Sequence, residues 1–133
     1  MSKLLDYLNK NKVGQLATLR DRKPELRPFT FAYEKEGIFY FITSNDRKVF
    51  KELKEEGVAG FSSMGGDYKY VRLSGKVTFI DDLELKTEVL NNTPTGLQHY
   101  KTADNPIMEC FYIHNGVATL NTAFGELIEE IKI

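Results

Sequence analysis

Residues 43–48 combine hydroxyl, amide and cationic side chains, which are types that can bind a phosphate group. They lie between an apolar, strand-like run at residues 37–42 and residues that recur at helical spacing. A helix that begins near Asn45 would present unpaired backbone N–H groups and the positive end of its dipole at this junction. Arg47 and Lys48 stand where acidic residues are expected, at a cost of about 0.3–1 kcal/mol each unless an anion lies nearby. The combination predicts a phosphate-binding site.

An ordinary helix cap is the alternative interpretation of the same segment. Ser44 or Asn45 would act as the N-cap by accepting a hydrogen bond from the first turn, and Arg47 and Lys48 would point into water. On this segment alone the cap is the simpler interpretation, so the surrounding sequence has to decide.

A proline interrupts the strand-like run at residues 26–33. Because proline cannot donate to a β-ladder, Pro28 belongs at an edge or an irregularity of a sheet. Such a break leaves neighbouring backbone N–H and C=O groups free to meet the polar edge of a ring, and Arg27 could add charge to the same ligand. An arginine on the loop side of an edge strand is an equally good interpretation of Arg27.

Tyr70, Arg72 and Ser74 share one face of the strand predicted at residues 68–80, whose other face is apolar. An outward barrel surface explains this face by itself. Beside a phosphate site, an aromatic ring and a cation suit a flat, phosphorylated heteroaromatic ligand. Gly75 in the middle of this strand predicts a bulge or a bend.

Side chains for acid–base or nucleophilic catalysis are scarce, and no catalytic residue is assigned. The common hydrolase, Walker and dinucleotide-binding motifs do not occur. His99 and His114 are expected at the surface, His114 at the tip of a hairpin, and Cys110 is expected to be a packed core thiol. A single cysteine excludes an internal disulfide and a cysteine zinc cluster, and we expect no metal site. Any redox chemistry would come from a cofactor.

Short strands and helices alternate in the elements that must position these residues. Helices are predicted at residues 3–11, 46–56 and 82–91, with a helical turn around 97–100. Strands are predicted at residues 13–19, 26–33, 38–42, 58–63, 68–80, 108–113, 117–121 and 126–133. The Asn115-Gly116 pair between two of these strands is the clearest hairpin signal. This order of elements predicts an antiparallel barrel with peripheral helices.

The bulk composition indicates one ordinary domain, residues 1–133. The chain is 41% hydrophobic and 28% charged with a formal net charge of −1, which gives no support for nucleic-acid binding. No apolar run is long enough to span a bilayer, and the first residues lack the apolar core of a signal peptide. We therefore expect a cytoplasmic protein that binds neither membranes nor nucleic acid.

In order and spacing, these segments resemble the pyridoxamine 5′-phosphate oxidase-like family of flavin-binding split β-barrels. The resemblance covers nearly the whole chain, from residues 13–18 through 26–29 and 43–48 to 71–75. It implies a mainly β (α+β) fold, an antiparallel six-stranded split β-barrel with peripheral helices. It also implies a homodimer with two FMN sites at the interface.

The resemblance also assigns cofactor contacts. The resemblance places Arg47 and Lys48 at the FMN phosphate, with Arg27 assisting. It places Pro28, Phe29 and Thr30 along the isoalloxazine edge, and Ile42 and Thr43 at the end of the next strand, where the family also contacts the cofactor. Tyr70 falls where the oxidases usually carry a glutamine.

The function implied is that of a flavoprotein oxidoreductase in which bound FMN passes on hydride or electrons. The oxidases close with a segment containing Trp and Arg that helps to bind pyridoxamine phosphate, whereas this chain has no Trp. We therefore do not expect vitamin B6 oxidation, and the chain is more similar to the short general-stress or nitroimidazole-resistance type. A non-catalytic flavin or haem binder and a deazaflavin-dependent reductase remain as alternatives.

Overall fold

The computed structural model describes residues 2–133 and contains eight strands and four helices. In chain order these are α1 (Lys3–Lys10), β1 (Val13–Arg20), β2 (Lys23–Thr30), β3 (Tyr33–Lys35), β4 (Ile38–Ser44), α2 (Lys48–Glu56), β5 (Val58–Met64), β6 (Tyr70–Ile80), α3 (Leu83–Asn91), α4 (Pro94–Tyr100), β7 (Met108–Asn121) and β8 (Leu127–Lys132). None of these helices has the length and apolar character needed to cross a membrane.

All eight strands belong to one antiparallel sheet, in the order β2-β1-β5-β6-β7-β4-β3, with β8 also paired to β7. The sheet curls on itself, because the rings of Phe41 on β4 and Phe61 on β5 lie 5.1 Å apart although β6 and β7 separate their strands. This is the predicted antiparallel split barrel, with eight strands instead of six. β2 ends at Thr30, and β3 is a separate strand because it pairs with β4 instead of β1; β8 pairs with the second half of β7.

Two apolar clusters stabilise the fold. The first fills the inside of the barrel and includes Leu4 and Leu8, the fully buried side chains by which α1 covers it. The second lies between the barrel wall and helices α3 and α4, where Leu90 and Tyr100 pack with Cys110 of β7. Burial of this apolar surface contributes most of the free energy that holds the helices on the sheet.

The first hairpin reaches further than predicted. β1 and β2 pair from Val13↔Thr30 to Arg20↔Lys23 around a two-residue turn, and both turn residues, Asp21 and Arg22, have positive φ angles of 52° and 66°. Positive φ at both positions matches the twist of a hairpin. Because β2 is the end strand of the sheet order, Pro28 lies on an edge strand as predicted.

The hairpin predicted at Asn115-Gly116 is wrong, because β7 runs without reversal from Met108 to Asn121. Asn115 has a φ of 53°, and the pairing with β6 shifts register between Ser74 and Lys76. The Asn-Gly signal therefore marks a bulge, where positive φ is also needed. The irregularity predicted at Gly75 is confirmed.

Candidate functional site

Two adjoining clefts share Phe29 and Arg47. The first, here called the α4 cleft, has a volume of about 290 Å³ and lies between β2, the end of β4 and helix α4. The second, the α2 cleft, has a volume of about 300 Å³ and lies between β2 and helix α2. Together they form an elongated depression with Arg47 at its middle.

The outer edge of β2 forms one wall of both clefts. Arg27 and Phe29 are half-buried, whereas Pro28 and Thr30 are exposed, as alternation along a strand requires. The ring of Phe29 packs on Phe41 at 6.2 Å, which fixes this part of the strand against the core. In residues 2–133 no strand pairs with the outer edge of β2, so its backbone polar groups can meet a ligand.

Helix α2 begins with two cations and no capping side chain. Arg47 is its N-cap residue, its side chain makes no capping hydrogen bond, and the first turn holds no acidic residue. The helix begins at Lys48, later than predicted. Among residues 2–133 no carboxylate lies within 4.0 Å of the charged group of Arg47 or Lys48. The positive end of the helix dipole and two unpaired cations therefore coincide.

The cap predicted at Ser44 or Asn45 is wrong, since both side chains bind elsewhere, whereas Arg47 and Lys48 are exposed, as that interpretation expected. The hydroxyl of Ser44 hydrogen-bonds to that of Tyr100 on α4. The side-chain amide of Asn45 donates to the Pro106 carbonyl at 2.8 Å. Neither side chain contributes to the start of α2.

Thr43 carries an unusual polar group. Its Oγ1 is buried and has no hydrogen-bond partner among the described residues. Thr43 itself lines neither cleft, but its neighbour Ile42 lines the α4 cleft, and α2 begins five residues further along the chain. Because an unpaired buried hydroxyl costs about 1–3 kcal/mol, a ligand that supplies an acceptor would recover this free energy.

Arg27 borders the α2 cleft, but its guanidinium is held by the protein. Nη2 donates to Oε1 of Glu52 at 2.6 Å, and Nη1 donates to Oγ1 of Thr18 at 2.7 Å. Thr18 donates in turn to the same Glu52 oxygen at 2.6 Å. Burial raises the pKa of Glu52, but the hydrogen bonds from Thr18 and Arg27 outweigh it and hold that pKa below its ordinary value. Sequence reasoning missed Glu52, whose position on α2 gives no local signal of its partner on β2.

Tyr70 lies apart from both clefts of its own chain. It is the first residue of β6, where it pairs with Asn121, the last residue of β7. Ile42, which lines the α4 cleft, pairs with Cys110 near the other end of β7. The structure therefore brings Arg27 and Lys48 to one cleft, Pro28, Thr30 and Ile42 to the other, and Phe29 and Arg47 to both. Thr43 and Tyr70 line neither cleft.

Helix α4 supplies cleft residues that sequence reasoning missed. Thr95 and His99 are one turn apart and line the α4 cleft with Tyr100. Gly96 also lines this cleft and packs closely on its own helical region, since a Cβ at this position would lie 3.2 Å from the side chains of Leu90 and Thr93. The spacing of Thr95 and His99 was visible in the sequence, but nothing there showed which strand the helix would face.

The remaining candidates lie outside both clefts. Cys110 is fully buried and burial raises the pKa of its thiol to about 12, which confirms a packed core thiol. His114 lies within β7 instead of at a hairpin tip, with Nε2 2.7 Å from Oγ1 of Thr78. Among residues 2–133 no group of three or more His, Cys, Asp or Glu side chains is placed to hold a metal ion.

The antiparallel split barrel with a cationic cleft at a strand–helix junction places the chain in a known class. The family model described as pyridoxamine 5′-phosphate oxidase matches residues 1–106. The chain belongs to the pyridoxamine 5′-phosphate oxidase family.

Individual relatives agree with this assignment. General stress protein 26 of Bacillus subtilis is 32% identical over 91 residues, a match that covers 65% of this chain and 64% of that protein. The crystal structure of a NimC/NimA family protein from Clostridium acetobutylicum is similar with a TM-score of 0.85 and 29% identity, over 97% of this chain and 89% of that one. A haem-binding protein from Mycobacterium smegmatis shares the fold, with a TM-score of 0.73 and 16% identity over 93% of this chain and 54% of that one.

Proposed function

We propose that this protein binds FMN and uses it for hydride or electron transfer. The start of α2 carries the proposal, because Arg47 and Lys48 have no ion-pair partner among residues 2–133 and begin a helix without a side-chain cap. A phosphate monoester there would satisfy the backbone N–H groups and offset both charges. The unpaired hydroxyl of Thr43 supports the same assignment, since a phosphate oxygen can accept its hydrogen bond.

The two clefts suit a ligand with a phosphate at one end and a flat ring at the other. From Arg47 the α4 cleft continues along Pro28 and Thr30 on the unpaired edge of β2. Backbone groups on this edge can hydrogen-bond to the polar rim of an isoalloxazine ring. Thr95 and His99 on α4 would form the opposite wall and limit the access of water.

When bound, FMN supplies the redox chemistry itself, as flavins do. The residues of this chain would bind and orient it: Arg47, Lys48 and Thr43 at the phosphate, and the edge of β2 at the ring. We do not propose pyridoxamine phosphate as the substrate, because the chain has none of the Trp that the oxidases use to close on it.

We further propose a homodimer in which Tyr70 of one copy reaches the ring of the FMN bound to the other. Tyr70 is too far along β6 to serve its own clefts, which supports a contribution across an interface. The outer face of β1, β5 and β6 carries a depression of about 480 Å³ lined by small and apolar residues such as Ala17, Val58 and Gly60. A surface of this kind suits contact with another protein surface.

A haem-binding protein without catalytic activity is the second candidate. The observation that favours it is the fold shared with a haem-binding protein at a TM-score of 0.73. In this alternative the imidazole of His99, which borders the α4 cleft, would be the candidate iron ligand.

The visible spectrum and the mass of the purified protein test these proposals. The flavin proposal predicts a yellow protein that releases FMN, identified by mass spectrometry, and reduction of the flavin by a nicotinamide cofactor with turnover. Stoichiometric FMN without turnover would favour a binder, a Soret band on addition of hemin would favour the haem candidate, and a released deazaflavin would identify that cofactor. A monomeric mass for the FMN-bound protein would contradict the dimer.

A further inference from the structure

We propose that Glu52 is a positioning residue that cancels the charge of Arg27 and thereby sets the selectivity of the α2 cleft for a phosphate-bearing flavin. The inference rests on the proposed function, since it concerns the same phosphate site. It departs from the role that the family resemblance implies for Arg27, which is to assist Arg47 and Lys48 in binding the phosphate.

The pairing of charges in the α2 cleft is the first step of the argument. Two carboxylates and four cations border this cleft: Glu25, Glu52, Arg20, Arg27, Arg47 and Lys48. Glu25 is paired with Arg20, and Glu52 is paired with Arg27 at 2.6 Å and more distantly with Arg20 at 4.0 Å. The two cations at the start of α2 remain unpaired, which matches the charge of a phosphate monoester near neutral pH.

The geometry around Glu52 is the second step. The Glu52 side chain is only 5% exposed, and that of Arg27 is 23% exposed. Both nitrogens that Arg27 turns inward are occupied, by Glu52 and by Thr18. A guanidinium fixed in this way cannot turn towards a ligand without removing the nearest cation from the buried Glu52 carboxylate, which is unfavourable.

The position of Glu52 on α2 is the third step. It lies four residues after Lys48 and therefore on the same side of the helix. Its bond to Arg27 joins α2 to β2, and its bond to Thr18 joins α2 to β1. Glu52 thus holds the start of α2 at a fixed place beside β2 while it removes one positive charge from the cleft.

The test compares FMN with riboflavin, which has the same ring but no phosphate. Dissociation constants of both flavins are measured by fluorescence for the full-length parent, Glu52→Gln, Arg27→Gln and the double variant. Glu52→Gln should increase the preference for FMN over riboflavin about two- to fivefold, because the charge of Arg27 is no longer cancelled. Arg27→Gln should decrease the preference by a similar factor. The double variant should return to within about twofold of the parent, and inorganic phosphate should compete with FMN in the same order.

The double variant separates the two roles of Arg27. If the double variant shows the same reduced preference for FMN over riboflavin as Arg27→Gln, then Arg27 is a direct phosphate ligand and the proposal is wrong. If Arg27→Gln does not fold, the comparison of the parent with Glu52→Gln and the double variant still tests the proposal, because neither variant contains the buried Glu52 carboxylate. If Glu52 only stabilises the fold, its substitution will change the affinities for FMN and riboflavin by the same factor. That result would also overturn the proposal. A parent protein with no preference for FMN would instead contradict the proposed function.

Discussion

The hydroxyl groups of Ser44 and Tyr100 hydrogen-bond to each other inside the protein. Ser44 is the last residue of β4 and Tyr100 is the last residue of α4, and both are buried. This bond therefore joins the strand that leads to α2 to the helix that forms the far wall of the α4 cleft.

We expect the Ser44–Tyr100 bond to be measurable by a double-mutant cycle. Ser44→Ala and Tyr100→Phe each leave one buried hydroxyl unpaired and should each lower the free energy of unfolding by about 1–3 kcal/mol. The double variant should lose about 1 kcal/mol less than the sum, because neither hydroxyl is then left behind. Urea denaturation of the four proteins measures this coupling, and strictly additive losses would contradict it.

Thr43→Val should change stability and binding in opposite directions. Removal of an unpaired buried hydroxyl should raise the free energy of unfolding of the flavin-free protein by about 1 kcal/mol. It should also weaken FMN about three- to tenfold without affecting riboflavin, because one hydrogen bond to the phosphate is lost.

Ser63→Ala is the matched control for Thr43→Val. The hydroxyl of Ser63 is also buried without a partner in the described chain, but Ser63 lies on β5, whereas Thr43 lies near the end of β4, five residues before α2. Its removal should leave the affinity for FMN unchanged. Equal FMN affinities for the parent and Thr43→Val would mean that Thr43 does not contact the phosphate.

Glu129 should make the attachment of α1 sensitive to acid. Its Oε1 accepts hydrogen bonds from the Ser2 hydroxyl at 2.6 Å and the Leu4 N–H at 2.7 Å, which lower the pKa of Glu129. A lowered pKa means that this stabilisation is complete above the pKa of the unfolded chain and is lost as the pH falls through the folded value.

Glu129→Gln tests this dependence. At neutral pH the substitution should lower the free energy of unfolding by about 1–2 kcal/mol, because the bonds to a charged acceptor are weakened. The difference from the parent should shrink as the pH falls below about 5. Denaturation curves over this pH range measure it, and a difference independent of pH would show that the carboxylate charge is not involved.

Gly116→Ala should be strongly destabilising, since a Cβ at this position would overlap the Ser74 carbonyl across the strand pair. We expect a loss of at least about 1–3 kcal/mol in the free energy of unfolding. Gly66→Ala is the control, because nothing lies within 4 Å of a Cβ there. If both variants unfold at the same urea concentration as the parent, the close approach of β6 and β7 at the bulge is wrong.

Local patterns predicted those elements of the fold whose signals lie within one segment. The apolar spacing in residues 46–56 and the alternation in residues 68–80 gave α2 and β6 nearly to their observed bounds. The Asn115-Gly116 pair misled because both halves of β7 pair with one long partner, β6, a non-local relationship that outweighs a turn signal. A positive φ was correctly indicated at Asn115, but not the direction of the chain after it.

The candidate site was likewise predictable only where its signals lie within one segment of the chain. Helix electrostatics identified the cations at residues 47 and 48 as a candidate phosphate site, and the missing N–H of proline placed Pro28 on an edge strand. The partners of these residues were not predictable, because Glu52 meets Arg27, and α4 meets Ile42, only after the barrel has closed. Sequence patterns identified the charges of the site but not how they pair.

The central claim is that Arg47 and Lys48 hold the phosphate of FMN. Substitution of both by glutamate reverses two charges, and Lys23→Glu with Lys51→Glu makes the same change in charge at exposed residues outside both clefts. The Arg47→Glu, Lys48→Glu protein should fold at least as stably as the parent, because acidic residues at a helix N-terminus are favourable. Loss of FMN could then not be explained by unfolding.

The dissociation constant of FMN in these three proteins is the most direct measurement. We expect the parent and the Lys23→Glu, Lys51→Glu control to bind FMN within a fewfold of each other. The Arg47→Glu, Lys48→Glu protein should bind it at least about a hundredfold more weakly, since two charge-assisted contacts are lost. An affinity for FMN equal to that of the parent would contradict the phosphate site at the start of α2.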